Sequence, residues 1–516
     1  MSFSQTAASA DNNPLADPED RPAPPAVFVI FGASGDLTSR KLMPAIERLA
    51  VRRLLPPGFA VVGVARTEMN DDDFRERMRE LVEKGGGGGP EARHVWDSFV
   101  GAFRYVAGDY DDAATFDRLK EVLEELDRER GTAENRLFYL ATPPSTFPTV
   151  INGLKDRGLS RSSSPDAFSR VVIEKPFGHD LESALELDRV VHEAFDEDQV
   201  YRIDHYLGKE TVQNVLALRF ANATYEPIWN RRYVDHIQVT VAESLGVEHR
   251  GSFYEQAGAL RDIVQNHVMQ VVAMTLMEPP VTFDADGIRD EKVKALKAVE
   301  ILSADKVKTQ VIRGQYGRGW VGGEEVTAYR EEEGVDPHST TETYVAMKLK
   351  VDNWRWAGVP VYVRTGKRLP KRVTEVALQF HKVPHLPFHL KQVEDLEADS
   401  LVLRIQPDEG ISFRFGAKIP GQAFRIRSVS MDFFYGAAFL EETPDAYERL
   451  LLDALSGDAT LFIRSDEVQR AWHIVDPLLQ AWQNDDIPLA KYEAGTWGPR
   501  EADELLEADG RRWRRP

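Results

Sequence analysis

"PAVFVIFGASGDL", residues 25–37, begins as an unbroken apolar run and ends in glycines. The run from Val27 to Phe31 has no polar face, so it predicts a strand buried on both sides. "KLMPAIERLAVRRLL" (41–55) follows as an amphipathic helix, and "GFAVVGVAR" (58–66) is a second buried strand. Strand, helix, strand in this order predicts a parallel βαβ unit. Gly32 and Gly35 let the backbone approach a pyrophosphate at a helix N-terminus. The pattern is not a full G-x-G-x-x-G: Ser34 lies between the glycines, and Leu37 or Thr38 stands where a third glycine belongs. An ordinary strand-to-helix turn is the alternative. The setting, a strand before and a helix after, is what the dinucleotide fingerprint requires. Gly32, Ser34, Gly35, Asp36 and Leu37 are therefore candidate cofactor contacts.

The second strand ends in "GVARTE" (63–68). An acid here meets a free ribose 2′-hydroxyl, whereas an arginine meets a 2′-phosphate. Arg66, with the Thr67 hydroxyl beside it, favours NADP; nearby Glu68 keeps NAD open.

Further along, "DDDFRERMRELVEK" (71–84) is a helix that runs into five glycines, 85–89. No strand precedes them and the P-loop pattern is absent, so they read as a slack linker. "NRLFYLATPPSTF" and "FSRVVIEKPFG" each give an apolar strand and a turn, and "LESALELDRVVHEAF" gives a helix. After about residue 200 the texture changes. "HIQVTVAES", "TYVAMKLKVD", "VPVYVRTG", "TEVALQFH", "LVLRIQPD" and "GISFRFGA" are strands with alternating apolar residues. They predict a large, mainly antiparallel sheet covered by helices on one face. The expected plan is a Pro- and Asp-rich disordered tail (1–24), a Rossmann dinucleotide-binding domain (25–200) and a β+α domain (201–516). A chain of 516 residues is long for one core.

Composition narrows the partners. The net charge of −20 argues against nucleic acid, which needs a basic footprint. The excess of acids, with arginine above lysine, also fits either plain solubility or salt adaptation. There is no cysteine, so disulfide and thiolate chemistry are excluded and a reducing, cytoplasmic setting is expected. No apolar run reaches membrane-spanning length, and no secretory signal is visible.

Hydride removal from an alcohol also needs a base, and histidine suits that task near neutral pH. Of the twelve histidines, three lie in "HKVPHLPFH" (381–389) at metal-like spacing. Two prolines break the helix that such spacing needs, so no metal site is expected. In "LRDIVQNHVMQVVAMTL" (260–276), Val264, Val268, Val271 and Val272 form one helical face, with His267 at its flank. A histidine so placed is ordinarily a core residue; the polar Asp262, Gln265 and Asn266 before it favour a site. "RIDHYLGKE" (202–210) sets Asp204 directly before His205, Tyr206 and Lys209, a carboxylate followed by three phosphate-binding groups.

"GASGDLTSRKL", "EKPFGHDLESA", "RIDHYLGKE" and "RDIVQNHVMQ", in this order and spacing, resemble the glucose-6-phosphate dehydrogenase family. "DAYERLLLDALSGDATLFIRSDEVQRAW" and "GTWGPREADELL" extend the likeness, which covers residues 26 to 508. The resemblance implies oxidation of glucose 6-phosphate to 6-phosphogluconolactone with NADP, the first step of the oxidative pentose phosphate pathway, by a homodimer or higher homo-oligomer. It implies that His267 is the general base and that Asp204 orients and stabilises it. His205, Tyr206 and Lys209 then hold the phosphate, and Lys175 of "EKPFG" meets both cofactor and sugar, with a cis peptide at Pro176. Glu243 and Asp262 accept sugar hydroxyls, and "RTGKRLPKR" (364–372) supplies Lys367 and Arg372. Gln406 of "RIQP" is a further candidate. Two stretches depart from the family: "AESLG" (242–246), which lacks its aromatic or Pro-containing segment after the glutamate, and the pentaglycine. A dehydrogenase of unphosphorylated sugars has less need of Lys209, and a non-catalytic dinucleotide-binding regulator needs neither His267 nor Asp204.

Overall fold

The computed structural model describes residues 22–84, 90–388, 396–421, 424–439, 445–484 and 487–516. The pentaglycine and residues 1–21 of the expected tail lie outside them. Ala23 is buried, and its N–H donates to the Leu54 carbonyl at 2.9 Å. Two compact units divide the chain. The first runs to Lys175 and adds Arg189–Ile203 and Asp445–Ala459; the second comprises Pro176–Asp188, Asp204–Pro444 and Thr460–Pro516.

The first unit is built on a six-stranded sheet of β1 (Val27–Phe31), β2 (Ala60–Ala65), β3 (Phe103–Ala107), β4 (Arg136–Leu140), β5 (Ser169–Ile173) and β6 (Val200–Arg202). Their order is β3-β2-β1-β4-β5-β6, and every pairing is parallel. All residues of β1, β2 and β4 are buried, as helices on both faces of a parallel sheet demand. The strand order reverses between β1 and β4, the switch point where such sheets open a crevice beyond their C-terminal ends. The helix Ala446–Ser456, far along the chain, belongs to this unit. A capping box of Asp445 and Glu448 opens it, Asp445 and Glu448 also pair with Lys41 and Arg48, and Arg170 donates to the carbonyls of Ala454 and Leu455.

The second unit carries a ten-stranded sheet of β7 (Val234–Ala242), β8 (Val311–Val321), β9 (Glu324–Val326), β10 (Tyr344–Leu349), β11 (Val361–Gly366), β12 (Val373–Phe380), β13 (Ser400–Gln406), β14 (Gly410–Lys418), β15 (Ile426–Phe434) and β16 (Leu489–Ala494). The order is β15-β14-β13-β12-β7-β11-β10-β8-β16, with β9 beside β8. β7 with β11 and β8 with β16 run parallel; the other pairs are antiparallel.

Register decides what this sheet offers. Ala242 pairs with Gly366 across β7 and β11, Val373 pairs with Ala242 across β12 and β7, and Thr374 pairs with Gln406 across β12 and β13. One end of the sheet therefore gathers Glu243, Lys367, Arg372 and Gln406. The helix Leu260–Val268 packs against β7 and β11. Behind that end lies a core rich in tyrosine, including Tyr254, Tyr316, Tyr344 and Tyr492.

Candidate active site

The helix expected over 260–276 begins as a π-helix, Leu260–Val268, and continues as an α-helix, Met269–Leu276. Its start is set by Gly258, whose φ of +61° is open to glycine and whose missing Cβ leaves room for the Glu342 carboxylate, 2.3 Å from where that carbon would sit. Glu342 accepts the Leu260 N–H at 3.0 Å, and burial raises its pKa. The winding changes which residues share a face. At about 100° per residue an α-helix would set Asp262 and His267 about 140° apart. In a π-helix hydrogen bonds join residues five apart, so these two stand one turn above the other. The 3.6-residue spacing put His267 at the flank of an apolar face; in the structure it is fully buried, 1% exposed.

Nδ1 of His267 lies 2.5 Å from Oδ1 of Asp204, itself 1% exposed. The same oxygen accepts the Tyr206 N–H at 2.9 Å. Burial pushes the Asp204 pKa up, but the charges and hydrogen bonds of His267, His205 and the Tyr206 N–H outweigh it and hold the carboxyl well below the usual range. Oδ2 of Asp204 has no hydrogen-bond partner among the described residues. The His205 ring stands edge-on to His267 at 4.7 Å, and the Tyr206 ring stacks on His267 at 4.2 Å with 15° between planes. Ligand-type atoms of Asp204, His205 and His267 lie within 4.8 Å of one another. The short bond between Oδ1 and Nδ1 is the geometry of a base and its orienting carboxylate.

The phosphate-type groups converge next to this pair. Lys209 is the N-cap of the helix Glu210–Phe220, and its ammonium donates to Oε1 of Gln406. Arg372 donates to the same oxygen at 3.1 Å. Nε2 of Gln406 donates to the Tyr206 hydroxyl at 3.3 Å and to Thr374 at 2.9 Å. Gln406 thus joins two of the expected phosphate contacts, Tyr206 and Lys209, to Arg372, and Thr374 completes the set. Burial pushes the Tyr206 hydroxyl up to about 12, so it stays protonated and able to donate. On the other side of the sheet end, Lys367 pairs with Glu243 at 2.7 Å and lies 5.0 Å from the Tyr254 ring centroid. Its backbone is fixed as well: the Lys367 carbonyl accepts the Tyr492 hydroxyl at 2.7 Å. Asp204, His205, Tyr206, Lys209, Glu243, Asp262, His267, Lys367 and Arg372 all belong to the second unit.

The cofactor candidates belong to the first unit. A cleft of about 680 Å³ opens at the switch point, lined by Gly32, Ser34, Gly35, Arg66, Thr67 and residues of the turns after β3 and β4. Gly32 has φ +88°, and a Cβ there would meet the Ala141 carbonyl oxygen at 2.4 Å. The turn is closed by Gly35 N–H to Gly32 O at 2.9 Å and by the Thr38 hydroxyl to Gly32 O at 3.1 Å. Such a cradle of backbone before a helix, with Arg66 at its rim, fits a dinucleotide with a 2′-phosphate. Asp36 is paired with Arg40 at 2.8 Å on the exposed side of the turn, and Leu37 is the N-cap of the first helix. Pattern reading did not single out Tyr110, Thr142, Pro143 and Thr146, which also line the cleft. The signal was available in "ATPPSTF", since turns at the C-terminal ends of neighbouring parallel strands must share one crevice. Arg77 is a second unflagged arginine here, donating to the Ser34 carbonyl at 2.9 Å.

Lys175 stands in the bend after β5 and ends the first unit. Its peptide to Pro176 is not cis: among the described residues the cis peptide is Gln406–Pro407. This corrects the expectation at Pro176. The chain there is an open bend without a closed turn to enforce the cis form, and trans is then the lower-energy isomer. Of the other histidines, His381 pairs with Asp235 at 3.6 Å, and His389 lies outside the described residues.

Family models for the glucose-6-phosphate dehydrogenase NAD binding domain and C-terminal domain match residues 29–214 and 216–514. The chain is 50% identical over 514 residues to glucose-6-phosphate 1-dehydrogenase 2 of Mycobacterium bovis, covering 99% of each. It is 50% identical over 489 residues to the enzyme of Aggregatibacter actinomycetemcomitans, covering 95% of this chain and 97% of that one. Among solved structures, a glucose-6-phosphate dehydrogenase in complex with its substrate glucose-6-phosphate superposes with a TM-score of 0.87 at 36% identity, covering 96% and 99% of the two chains. The glucose-6-phosphate 1-dehydrogenase of Mycobacterium avium superposes with a TM-score of 0.80 at 37% identity, with the same coverage. The chain belongs to the glucose-6-phosphate dehydrogenase family.

Proposed function

We propose that this chain oxidises D-glucose 6-phosphate to 6-phospho-D-glucono-1,5-lactone with NADP, using His267 as base. The observation that carries this reading is the buried Asp204–His267 pair set beside a phosphate-type cluster from the same six-residue segment. With Nδ1–H donated to Asp204, Nε2 of His267 is the ring nitrogen that accepts the proton of the anomeric hydroxyl. The imidazolium that forms is stabilised by the Asp204 carboxylate. NADP, when bound, accepts the hydride. Gly32, Ser34, Gly35, Asp36, Leu37 and Arg66 hold the cofactor, Arg66 through the 2′-phosphate. His205, Tyr206 and Lys209, with Arg372 beside them, hold the sugar phosphate; Gln406 aligns these groups. Glu243 and Asp262 accept sugar hydroxyls, with Lys367 paired to Glu243, and Lys175 serves both ligands.

On this reading residues 25–200 bind NADP, and 201–516 bind substrate and form a homodimer or higher homo-oligomer. Exposed Met431, Phe433 and Phe434 on β15 support a protein contact on that sheet. A cytoplasmic setting suits a charged ester and a charged dinucleotide, neither of which crosses a bilayer unaided. No helix among the described residues is long and apolar enough to cross a membrane. The test is NADPH formation from glucose 6-phosphate and from glucose, by the wild type and by His267→Asn. The expected result is strong preference for the phosphorylated sugar and a loss of about 100- to 10,000-fold in the variant. Equal rates with both sugars would point to a dehydrogenase of unphosphorylated sugars, and near-normal turnover in the variant would remove His267 as the base.

A further inference from the structure

We infer that Tyr206 is a positioning residue whose ring, beyond its hydroxyl, sets the basicity of His267 and couples it to the phosphate end of the site. The inference rests on the reading of His267 as the base. The imidazole lies flat on the phenol, 4.2 Å between centroids and 15° between planes. The Lys209 ammonium lies over the same ring, 4.5 Å from its centroid. Imidazole and ammonium thus bear on one and the same ring.

The π face of a phenol is negative and attracts a cation held against it. It therefore stabilises imidazolium over imidazole and raises the basicity of His267. Lys209 draws on the same π density and repels a second cation held against the ring. A phosphate that pairs with Lys209 cancels that opposition, so binding the correct substrate makes the base stronger.

Other charges near His267 do not replace this link. Asp204 acts on Nδ1 whether or not phosphate is present, and the His205 ring meets His267 by its edge. Glu243 and Lys367, from the strands packed against the helix, neutralise each other at 2.7 Å, and Asp262 lies on the same helix. Met269–Leu276 carries no charge; on Gly251–Ala259, Glu255 is bonded to Tyr329 and Ser339. On Ser465–Gln483, Glu467 is paired with Lys292 and His473 is exposed.

The test is the pH dependence of kcat and kcat/KM for the wild type, Tyr206→Phe and Tyr206→Leu, with glucose 6-phosphate and with glucose. In the wild type the acid limb of kcat should lie at higher pH with glucose 6-phosphate than with glucose; coincident limbs overturn the coupling. Tyr206→Phe keeps the ring, so its acid limb in kcat/KM should stay in place while KM rises. Tyr206→Leu should move that limb down by about one pH unit, the scale of a desolvated cation–π contact. A limb unmoved in the leucine variant, or moved equally in the phenylalanine variant, overturns the role of the ring. The base reading fails separately, through undiminished turnover in His267→Asn.

Discussion

Asp204→Asn isolates the charge of the carboxylate from its geometry. Oδ1 of Asp204 holds both Nδ1 of His267 and the N–H of Tyr206, while Oδ2 is without a hydrogen-bond partner among the described residues. An asparagine can place its carbonyl oxygen where Oδ1 stands and its amide where Oδ2 stands. Both hydrogen bonds and the imidazole tautomer are then kept, and only the negative charge is lost. An imidazolium and a carboxylate with charge centres about 4 Å apart attract by roughly 4 kcal/mol at an effective dielectric of about 20. That corresponds to about a thousandfold in rate, within the ~100- to 10,000-fold range of general-base catalysis. The imidazolium forms only as the proton moves, so the loss belongs in kcat, with KM nearly unchanged. Steady-state kinetics on glucose 6-phosphate, with cofactor saturating, measure it. The acid limb of kcat/KM should also move to lower pH, since the carboxylate no longer favours the protonated ring. A fall in kcat of less than tenfold, or a loss carried by KM alone, would refute the assignment of Asp204 as the partner of the base.

Lys209→Ala removes a charged contact to a group that does not change during hydride transfer, so KM for glucose 6-phosphate should rise about 10- to 150-fold. The same variant should scarcely alter the weak oxidation of glucose, and an equal loss on both sugars would make Lys209 a structural residue. Arg66→Ala should weaken NADP by about 10- to 150-fold and NAD little, as titrations with each cofactor would show. Asp235 is held below the ordinary aspartate value, first by the hydrogen bond from His236 and then by Arg511. Unfolded, it titrates near ~3.9, so its stabilisation is complete above about pH 5 and is lost as pH falls through the depressed folded value. The gap in melting temperature between the wild type and Asp235→Asn should therefore narrow from about pH 6 to about pH 3; a constant gap would refute the ion pair as its source.

How much was legible in the sequence depended on whether the signal was local. Val27–Phe31 announced a buried parallel strand because both of its faces are apolar, and the glycines after it had to form the turn they form. Asp204 to Lys209 was legible because six consecutive residues carry the acid and the anion binders together. Gln406 was harder to weigh: its importance comes from β12–β13 register, which sets it beside Thr374, and from bonds to residues about 200 positions away. β8 was missed because Gly314, Gly317 and Gly319 dilute its alternation, and β15 because its outer half stays exposed. The π-winding over 260–268 was invisible to a search at 3.6 residues per turn, which is why His267 was read as a flank residue.

That winding makes the catalytic face a matter of counting. A π-helix carries more residues per turn than an α-helix, so deleting a single residue between Asp262 and His267 lets the backbone settle into α geometry. The pair would then stand four residues apart, about 40° round an α-helix, and keep one face, whereas a one-residue insertion would set them six apart and about 120° off although every chemical group needed for turnover was still encoded. Substitutions in this segment are graded by size and polarity, whereas a single-residue insertion changes the face outright. Gene libraries built by codon insertion should therefore leave a sharp gap here, where codon deletion is better tolerated and point-mutant libraries show a gradient.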